Sequence, residues 1–525
     1  MNRHHSLSIV VLACLCMLVF CQHAAAGSTS PSELLSQIQR LIEQGKLAEA
    51  RTRLIRGVKS FPHETGFYNL LGVVEAQQGR YRPAESSFRR AIEEDWHYTG
   101  AYLNLGRLYL ENTAKDPQAL RKGLDTYRKL LRFDPANREA NYQAALLLEK
   151  LGEFRASLEQ LSRLEATDQK RPQALAVRCA DLVRLGEQSQ AEAVAGELLA
   201  SGGLSEADVL SILPDLETGR RDDFQVRLLE GLVARQVASA DGLFRLGVLY
   251  ERQGKLSQAR DTLERAAQAQ PSSVPVLMEL ARVANQQREY KGALGYLAHA
   301  RDLEPQNASI HYFFGLVCVE EKLVLEAYNS FKKAVTLEPD NPNYNYAFGA
   351  LAVQRDNPRE AIPYFQKYCV FKPDDPRGKL SLGAAYFYSR DYNSARKVLE
   401  SVAAYRPTAP GAHYFLGRIA NQEGNLEEAE RELERALELN SQYANAYAEL
   451  GILRIKKKEY PQAADALHHC IEIDPENYTG NLNLMVLYQR TKDPRADAQA
   501  RRFEEVKGKR AEMAREFLRT IEVSP

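Results

Sequence analysis

Two consecutive stretches, NASIHYFFGLVCVEEKLVLEAYNSFKKAVTLEP at 307–339 and NPNYNYAFGALAVQRDNPREAIPYFQKYCVFKP at 341–373, align residue for residue at a step of 34. Each carries an aromatic followed by glycine (Phe314-Gly315, Phe348-Gly349), then an alanine (Ala327, Ala361), a phenylalanine (Phe331, Phe365) and a closing proline (Pro339, Pro373). Working outward, the step of 34 holds over Ala240–Asn477, seven units with no residue gained or lost. Small residues recur at Gly247, Ala281, Gly315, Gly349, Gly383, Gly417 and Gly451. Alanines recur at Ala259, Ala293, Ala327, Ala361, Ala395, Ala429 and Ala463. Prolines keep the same phase at Pro271, Pro305, Pro339, Pro373, Pro407 and Pro475, with Ser441 in the one missing place. A fixed period in this range is the signature of a stacked-repeat solenoid.

The columns have physical readings of their own. Within one unit, Leu243, Leu246, Leu249 and Tyr250, then Leu256, Ala259, Leu263 and Ala266, fall at helical spacing, so each unit predicts two short amphipathic helices. Glycine and alanine belong where those helices cross, because a larger side chain there overpacks the contact at about 1–3 kcal/mol. Proline lacks an N–H and disfavours helix in the residue before it, so it ends the second helix. Each unit leaves apolar surface that only a neighbour can cover, hence the array.

These residues resemble the tetratricopeptide repeat (TPR) family, whose pattern runs W-x2-L-G-x2-Y, then A-x3-F, then P. The resemblance implies an all-α superhelical solenoid. Stepping back from Ala240 recovers units starting at Pro31, Thr65, Thr99, Arg138, Pro172 and Glu206. Thirteen units of 34, plus five extra residues near 112–116, account for Pro31–Asn477. The organisation expected is a leader at 1–26, five N-terminal repeats at 31–205, and a degenerate unit at 206–239. Seven regular repeats at 240–477 and a capping segment at 478–525 follow. The degenerate unit, preceded by Ser201-Gly202-Gly203, reads either as a repeat that still stacks or as a hinge. In the cap, Phe503, Val506, Met513, Phe517 and Ile521 form one stripe of a charged helix, the polar-faced end that such arrays need.

Met1–Ala26 reads as a cleaved export signal: Arg3 in the n-region, an apolar core over Ile9–Phe20, and Ala24-Ala25-Ala26 before Gly27. That core is shorter than the roughly 20 residues of a membrane span. A lipid anchor at Cys21 is the alternative, and bulky Phe20 before it counts against that. The expected location is periplasmic or extracellular, with no transmembrane span in the mature chain. Cys179, Cys318, Cys369 and Cys470, the cysteines beyond the leader, are expected to be buried thiols.

With 69 basic and 69 acidic residues, the chain lacks the basic excess of a nucleic-acid binder. It carries no HExxH, CxxC, GxSxG, P-loop or GxGxxG motif, so no catalysis, cofactor or metal is expected. His468-His469-Cys470 is adjacent on one helix, and adjacent side chains there diverge rather than converge on a metal.

Function is therefore expected on the inner surface. The resemblance implies that the first helix of each unit lines a concave groove through its second, fifth, ninth, twelfth and thirteenth positions. Carried over, the fifth position gives Phe244, Tyr312, Tyr346 and Tyr414, and the ninth gives Arg282 and Arg418. The twelfth gives Asn285 and Asn421, and the thirteenth Tyr388 and Lys456. Aromatic and arginine side chains are the types enriched at binding surfaces. The family's carboxylate clamp is matched by Asn104 alone, with Val73 and Glu139 where other members belong. The expected role is a non-catalytic scaffold or adaptor that holds a protein segment, peptide or helix in this groove. The alternative is a carbohydrate-associated module for polysaccharide assembly or export, since tyrosines stack on sugar rings.

Overall fold

The structure, a computed structural model, describes residues 30–114, 116–218 and 221–522. The leader at 1–26 lies outside the described residues, as do the side chains of Met513, Phe517 and Ile521 in the cap stripe. Among the described residues every regular element is a helix. The chain forms two compact units, one up to Phe224 and one from Gln225 onward, and the division falls inside the degenerate stretch at 206–239.

In the first unit, helices begin at the residues that open the repeats: Pro31–Glu43, Thr65–Gln77, Thr99–Glu111, Arg138–Lys150 and Pro172–Leu185. Their partners are Leu47–Ser60, Tyr81–Glu94, Ala119–Phe133, Phe154–Leu161 and Gln188–Ala200. The five-residue insertion falls in the turn between Glu111 and Ala119. Short helices Glu206–Leu210 and Leu213–Thr218 follow.

The second unit repeats one hairpin. Ala240–Arg252 pairs with Leu256–Ala269, Val274–Gln286 with Tyr290–Leu303, Ala308–Glu320 with Val324–Leu337, and Pro342–Gln354 with Pro358–Phe371. Pro376–Tyr388 with Tyr392–Glu400, Ala409–Glu423 with Leu426–Leu439, and Ala444–Lys456 with Tyr460–Ile473 continue the series. Tyr478–Thr491 and the long Ala496–Glu522 close it, with Phe503 and Val506 of the cap stripe buried.

One of the seven regular units departs from expectation. Its second helix stops at Glu400, and residues 401–408 run as turns. Pro407 and Pro410 hold this segment off the helical path. The Thr408 hydroxyl donates to the Val402 carbonyl at 3.2 Å, which fixes it.

The columns carry the packing. All seven alanines of the second-helix column are fully buried. A Cβ on Gly315 would sit 2.5 Å from the Phe331 ring, and one on Gly247 2.5 Å from Leu263. The small residue thus faces the side chain four positions beyond the alanine, and at these glycines the hairpin is closed too tightly to admit a Cβ. Where the column holds Ala281, its partner is Leu297, the same residue type that faces Gly247.

Two further columns appear in the structure. The turn between the helices of a hairpin carries one residue in the left-handed conformation: Gly254 and Gly424, but also Arg288, Lys322, Asp356, Arg390 and Lys458, with φ between 58° and 82°. That conformation costs an L-residue roughly 1–2 kcal/mol, partly offset by the entropy glycine loses on folding. Lys322→Gly and Arg288→Gly are each expected to raise stability by roughly 0.5 kcal/mol, and Gly254→Ala to lower it, as read by calorimetry.

The second column is the fourth residue of the first helix, which secures the turn before it. Asn345 donates to the carbonyls of Pro339 and Asn341, both at 2.8 Å. Asn141 does the same to Pro135 and Asn137 at 2.9 and 2.8 Å. His311 Nε2 lies 2.9 Å from the Pro305 carbonyl in the equivalent contact.

Cys179, Cys318 and Cys470 are buried free thiols, and burial pushes each up to about 12, so they are packing residues rather than nucleophiles. Cys369 is free and half-buried.

Candidate functional site

First helices present their second, fifth, ninth, twelfth and thirteenth residues on one side, because those positions share a face at helical spacing. In the second unit this face holds a depression of about 370 Å³ built from three successive repeats. Tyr312, Leu316 and Val319 line it from the helix Ala308–Glu320. Asn343, Tyr346, Ala350 and Gln354 come from Pro342–Gln354, and Arg377 from Pro376–Tyr388. Phe331 and Tyr368 close the floor from second helices.

The two tyrosines are half-buried, and their rings are already engaged. Tyr312 lies 4.7 Å, centroid to centroid, from Tyr344, and Tyr346 lies 5.0 Å from Tyr368 and 5.7 Å from Phe365. The Tyr346 hydroxyl accepts from Ser381 at 3.2 Å. Leu316 and Val319 remain 39% exposed, which makes them the open apolar surface of the depression. Arg377 is not a free charge. It grips Asp375 through Nη2 at 2.6 Å and Nε at 3.0 Å, and this guanidinium holds the Asp375 carboxyl far below the usual carboxylate range. The depression is therefore apolar with amide edges and a neutralised rim.

The other positions fall into separate groups. Arg418 is enclosed: its guanidinium lies 4.5 Å from the Phe387 centroid, 5.4 Å from Tyr414 and 5.8 Å from Tyr388. Its Nε meets Glu449 at 3.0 Å, and Nη1 donates to the Tyr414 hydroxyl at 3.2 Å. Tyr414 is itself buried, and burial raises its phenol well above the ordinary value. Of this group only Tyr388 faces solvent, at 47% exposure. Asn421 is buried and accepts from the Lys456 ammonium at 2.7 Å.

Tyr414, Arg418 and Asn421, expected at the groove surface, thus spend their contacts inside the array. The physical reason is that a neighbouring repeat covers them, which column arithmetic within one unit does not show. Arg282 pairs with the buried Glu279 at 2.9 Å, and Phe244 and Asn285 are half-buried on their own helices.

Sequence reasoning passed over Leu316, Val319, Asn343, Ala350 and Gln354. Their columns were the right ones, but apolar and amide residues carried no charge or ring to mark them. The three residues His468, His469 and Cys470 do diverge: His468 meets the Tyr488 hydroxyl, His469 stacks on Tyr447, and Cys470 is buried.

Comparison with known families decides what this arrangement is. Tetratricopeptide repeat models match residues 35–99, 240–283 and 386–450. The chain is a multi-repeat tetratricopeptide protein. No curated protein matches it. Among solved structures, the APC/C hetero-tetramer Cut9-Hcn1 aligns with 88% of this tetratricopeptide chain and 96% of its own at 13% identity, TM-score 0.38. A tetratricopeptide repeat protein from Parabacteroides merdae aligns over 47% and 98% at 17% identity, TM-score 0.39. Yeast Tom70 aligns over 84% and 90% at 16% identity, TM-score 0.36. No helix among the described residues of the tetratricopeptide array is long and apolar enough to cross a membrane.

Proposed function

We propose that this protein is a non-catalytic scaffold that holds an apolar segment or helix of another protein against the first-helix face of its second unit. The observation that carries this reading is the depression at Tyr312, Leu316, Val319, Tyr346 and Ala350. It offers half-exposed aliphatic side chains, two amides at Asn343 and Gln354, and no uncompensated charge. An uncharged side chain entering it loses little hydration and gains about 25 cal/mol per Å² of apolar area buried. Sugar recognition fits less well, because Tyr312 and Tyr346 have their rings packed on neighbouring aromatics. The proposal includes export, since the reading of Met1–Ala26 as a cleaved leader places the scaffold outside the cytoplasm.

The test replaces exposed groove residues and spares the core. The triple variant Leu316→Asp, Val319→Asp, Ala350→Asp is expected to keep its helical circular dichroism. In affinity capture from the native source it is expected to lose, by tenfold or more, a protein that the unaltered chain retains. Retention of the same protein by both baits would place binding elsewhere and remove the groove from the account.

A further inference from the structure

From Thr65 onward the tenth residue of each first helix is buried and shares a core with the alanine-column residue of the preceding repeat, as Val74 does with Ala50 and Ile419 with Ala395. Leu147 shows the contact: a Cβ on Gly123 would lie 3.1 Å from its Cδ1. From Thr65 onward this tenth position is aliphatic in every regular repeat but one, Val74, Leu108, Leu249 and Ile419 being examples. The exception is Asp181, on the helix Pro172–Leu185, and it is 0% exposed. The residue it meets is an exception too. Ser157, on Phe154–Leu161, stands in the column that every other repeat outside the degenerate unit fills with alanine or glycine, and it is also fully buried. Two polar residues thus occur together at the one core contact where every regular partner pair is apolar.

The hydrogen bonds at this contact specify a protonation state. Neither carboxyl oxygen of Asp181 has a hydrogen-bond partner. The Ser157 hydroxyl is the polar side chain turned toward it, but its proton is given to the Ala145 carbonyl at 2.9 Å. A carboxylate there would be buried with both oxygens lacking a hydrogen-bonded donor, whereas the neutral acid has no charge to desolvate.

The charged groups around the contact make ionisation harder still. Glu149, on Arg138–Lys150, and Asp215, on Leu213–Thr218, are both acidic and both disfavour a charge on Asp181. Arg184 on the same helix is committed to Asp215 at 2.5 Å. The other buried carboxylates on packed elements are occupied, Asp168 by Arg171 at 2.7 Å and Asp208 by the Ser205 hydroxyl at 2.6 Å, and the glutamates of those elements are not buried. Gln188–Ala200 contributes only apolar buried residues.

We propose that Asp181 and Ser157 form a proton-dependent latch between the repeats at 138–171 and 172–205, closed when Asp181 carries a proton and loosened when it does not. Burial pushes the Asp181 carboxyl up to about 7, against about 4 in an unfolded chain. For an acid whose folded value is raised, the stabilising protonated form is fully present below about 4. It is lost as pH rises from there to about 7, and no further change follows above. The same two repeats carry Glu139, Tyr142 and Gln173 around a second depression, so loosening the latch alters that surface.

Hydrogen exchange of the full chain, corrected for intrinsic rates, tests this. Between pH 5 and pH 8 the opening constant of peptides spanning 154–185 is expected to rise by about 100-fold. Peptides spanning 409–439 serve as the internal reference and are expected to stay flat. Asp181→Asn and Asp181→Leu are each expected to abolish the rise and leave 154–185 better protected at pH 8. Ser157→Ala is expected to reduce protection at pH 5. The latch is overturned if 154–185 follows the reference segment in the unaltered chain, or if either Asp181 variant keeps the pH response.

Discussion

Gly315→Leu will destabilise the second unit by about 3 kcal/mol, the upper end for overpacking a close-packed contact. The warrant is the 2.5 Å gap that even a Cβ would leave to the Phe331 ring, which is itself buried and packed against Tyr312. The ring cannot swing away without disturbing the next contact, so the two helices of the hairpin must separate. Opening space opposite should rescue the change. Phe331→Ala alone costs about 3–5 kcal/mol by cavity formation. The double variant is expected to cost far less than the two together, a coupling of about 2–3 kcal/mol in a double-mutant cycle. The control is Gly295→Leu, on Tyr290–Leu303, where nothing lies within 4 Å of the added Cβ. There the gain in helix propensity, roughly 0.8–1 kcal/mol, should show alone as stabilisation. Urea unfolding followed by circular dichroism reads all of these. A neutral Gly315→Leu would mean that the column is a relic of composition rather than a steric requirement.

Asn141→Ala is expected to cost the first unit about 3 kcal/mol. Asn141 is 1% exposed, and its amide donates to Pro135 and Asn137 while its carbonyl oxygen accepts from Gln160. Removing it deletes three hydrogen bonds, at about 1 kcal/mol each, and leaves the buried Gln160 amide without its acceptor. The loss should fall on the first unit and spare the second, because nearest-neighbour repeats share stability locally. Asn141→His, which copies the His311 arrangement, should recover part of the loss through one carbonyl contact. An equal loss from Asn141→Ala and Asn141→His would show that the turn contact contributes nothing.

Much of the fold was legible because a column of the repeat is one residue deep. The step that places Gly247 and Gly315 in phase also places Pro31, Thr65, Arg138 and Pro172, and each opens a helix at that residue. The left-handed turn residue was readable at Gly45, Gly79, Gly152, Gly186, Gly254 and Gly424, which fall on the same step. It was hidden at Arg288, Lys322 and Arg390, where nothing in a basic side chain signals positive φ. The early end of Tyr392–Glu400 was equally hidden, since it involves Thr408 and the pairing of Pro407 with Pro410, the first residue of the next unit.

The candidate site divides in the same way. Tyr312 and Tyr346 follow from position on one helix face, and the depression does bring them together. Tyr414 and Asn421 occupy equivalent positions, yet Arg418 and Lys456 cover them. Asn421 is covered by Lys456 of the next repeat, and Arg418 is held over Tyr414 by Glu449 of the next repeat, so the single-unit pattern is silent. Leu316 and Val319 were passed over for the opposite reason, as apolar residues normally read as core.

The most direct test of the scaffold reading is site-specific photo-crosslinking. A benzophenone side chain placed at Leu316 or Ala350 reports on the groove, and one at Thr336 or Lys367 reports on exposed faces of second helices. The account predicts that the captured partner cross-links from Leu316 and Ala350 and not from Thr336 or Lys367. Cross-links from Thr336 and Lys367 alone would contradict it and put the interaction on the opposite helices of the array.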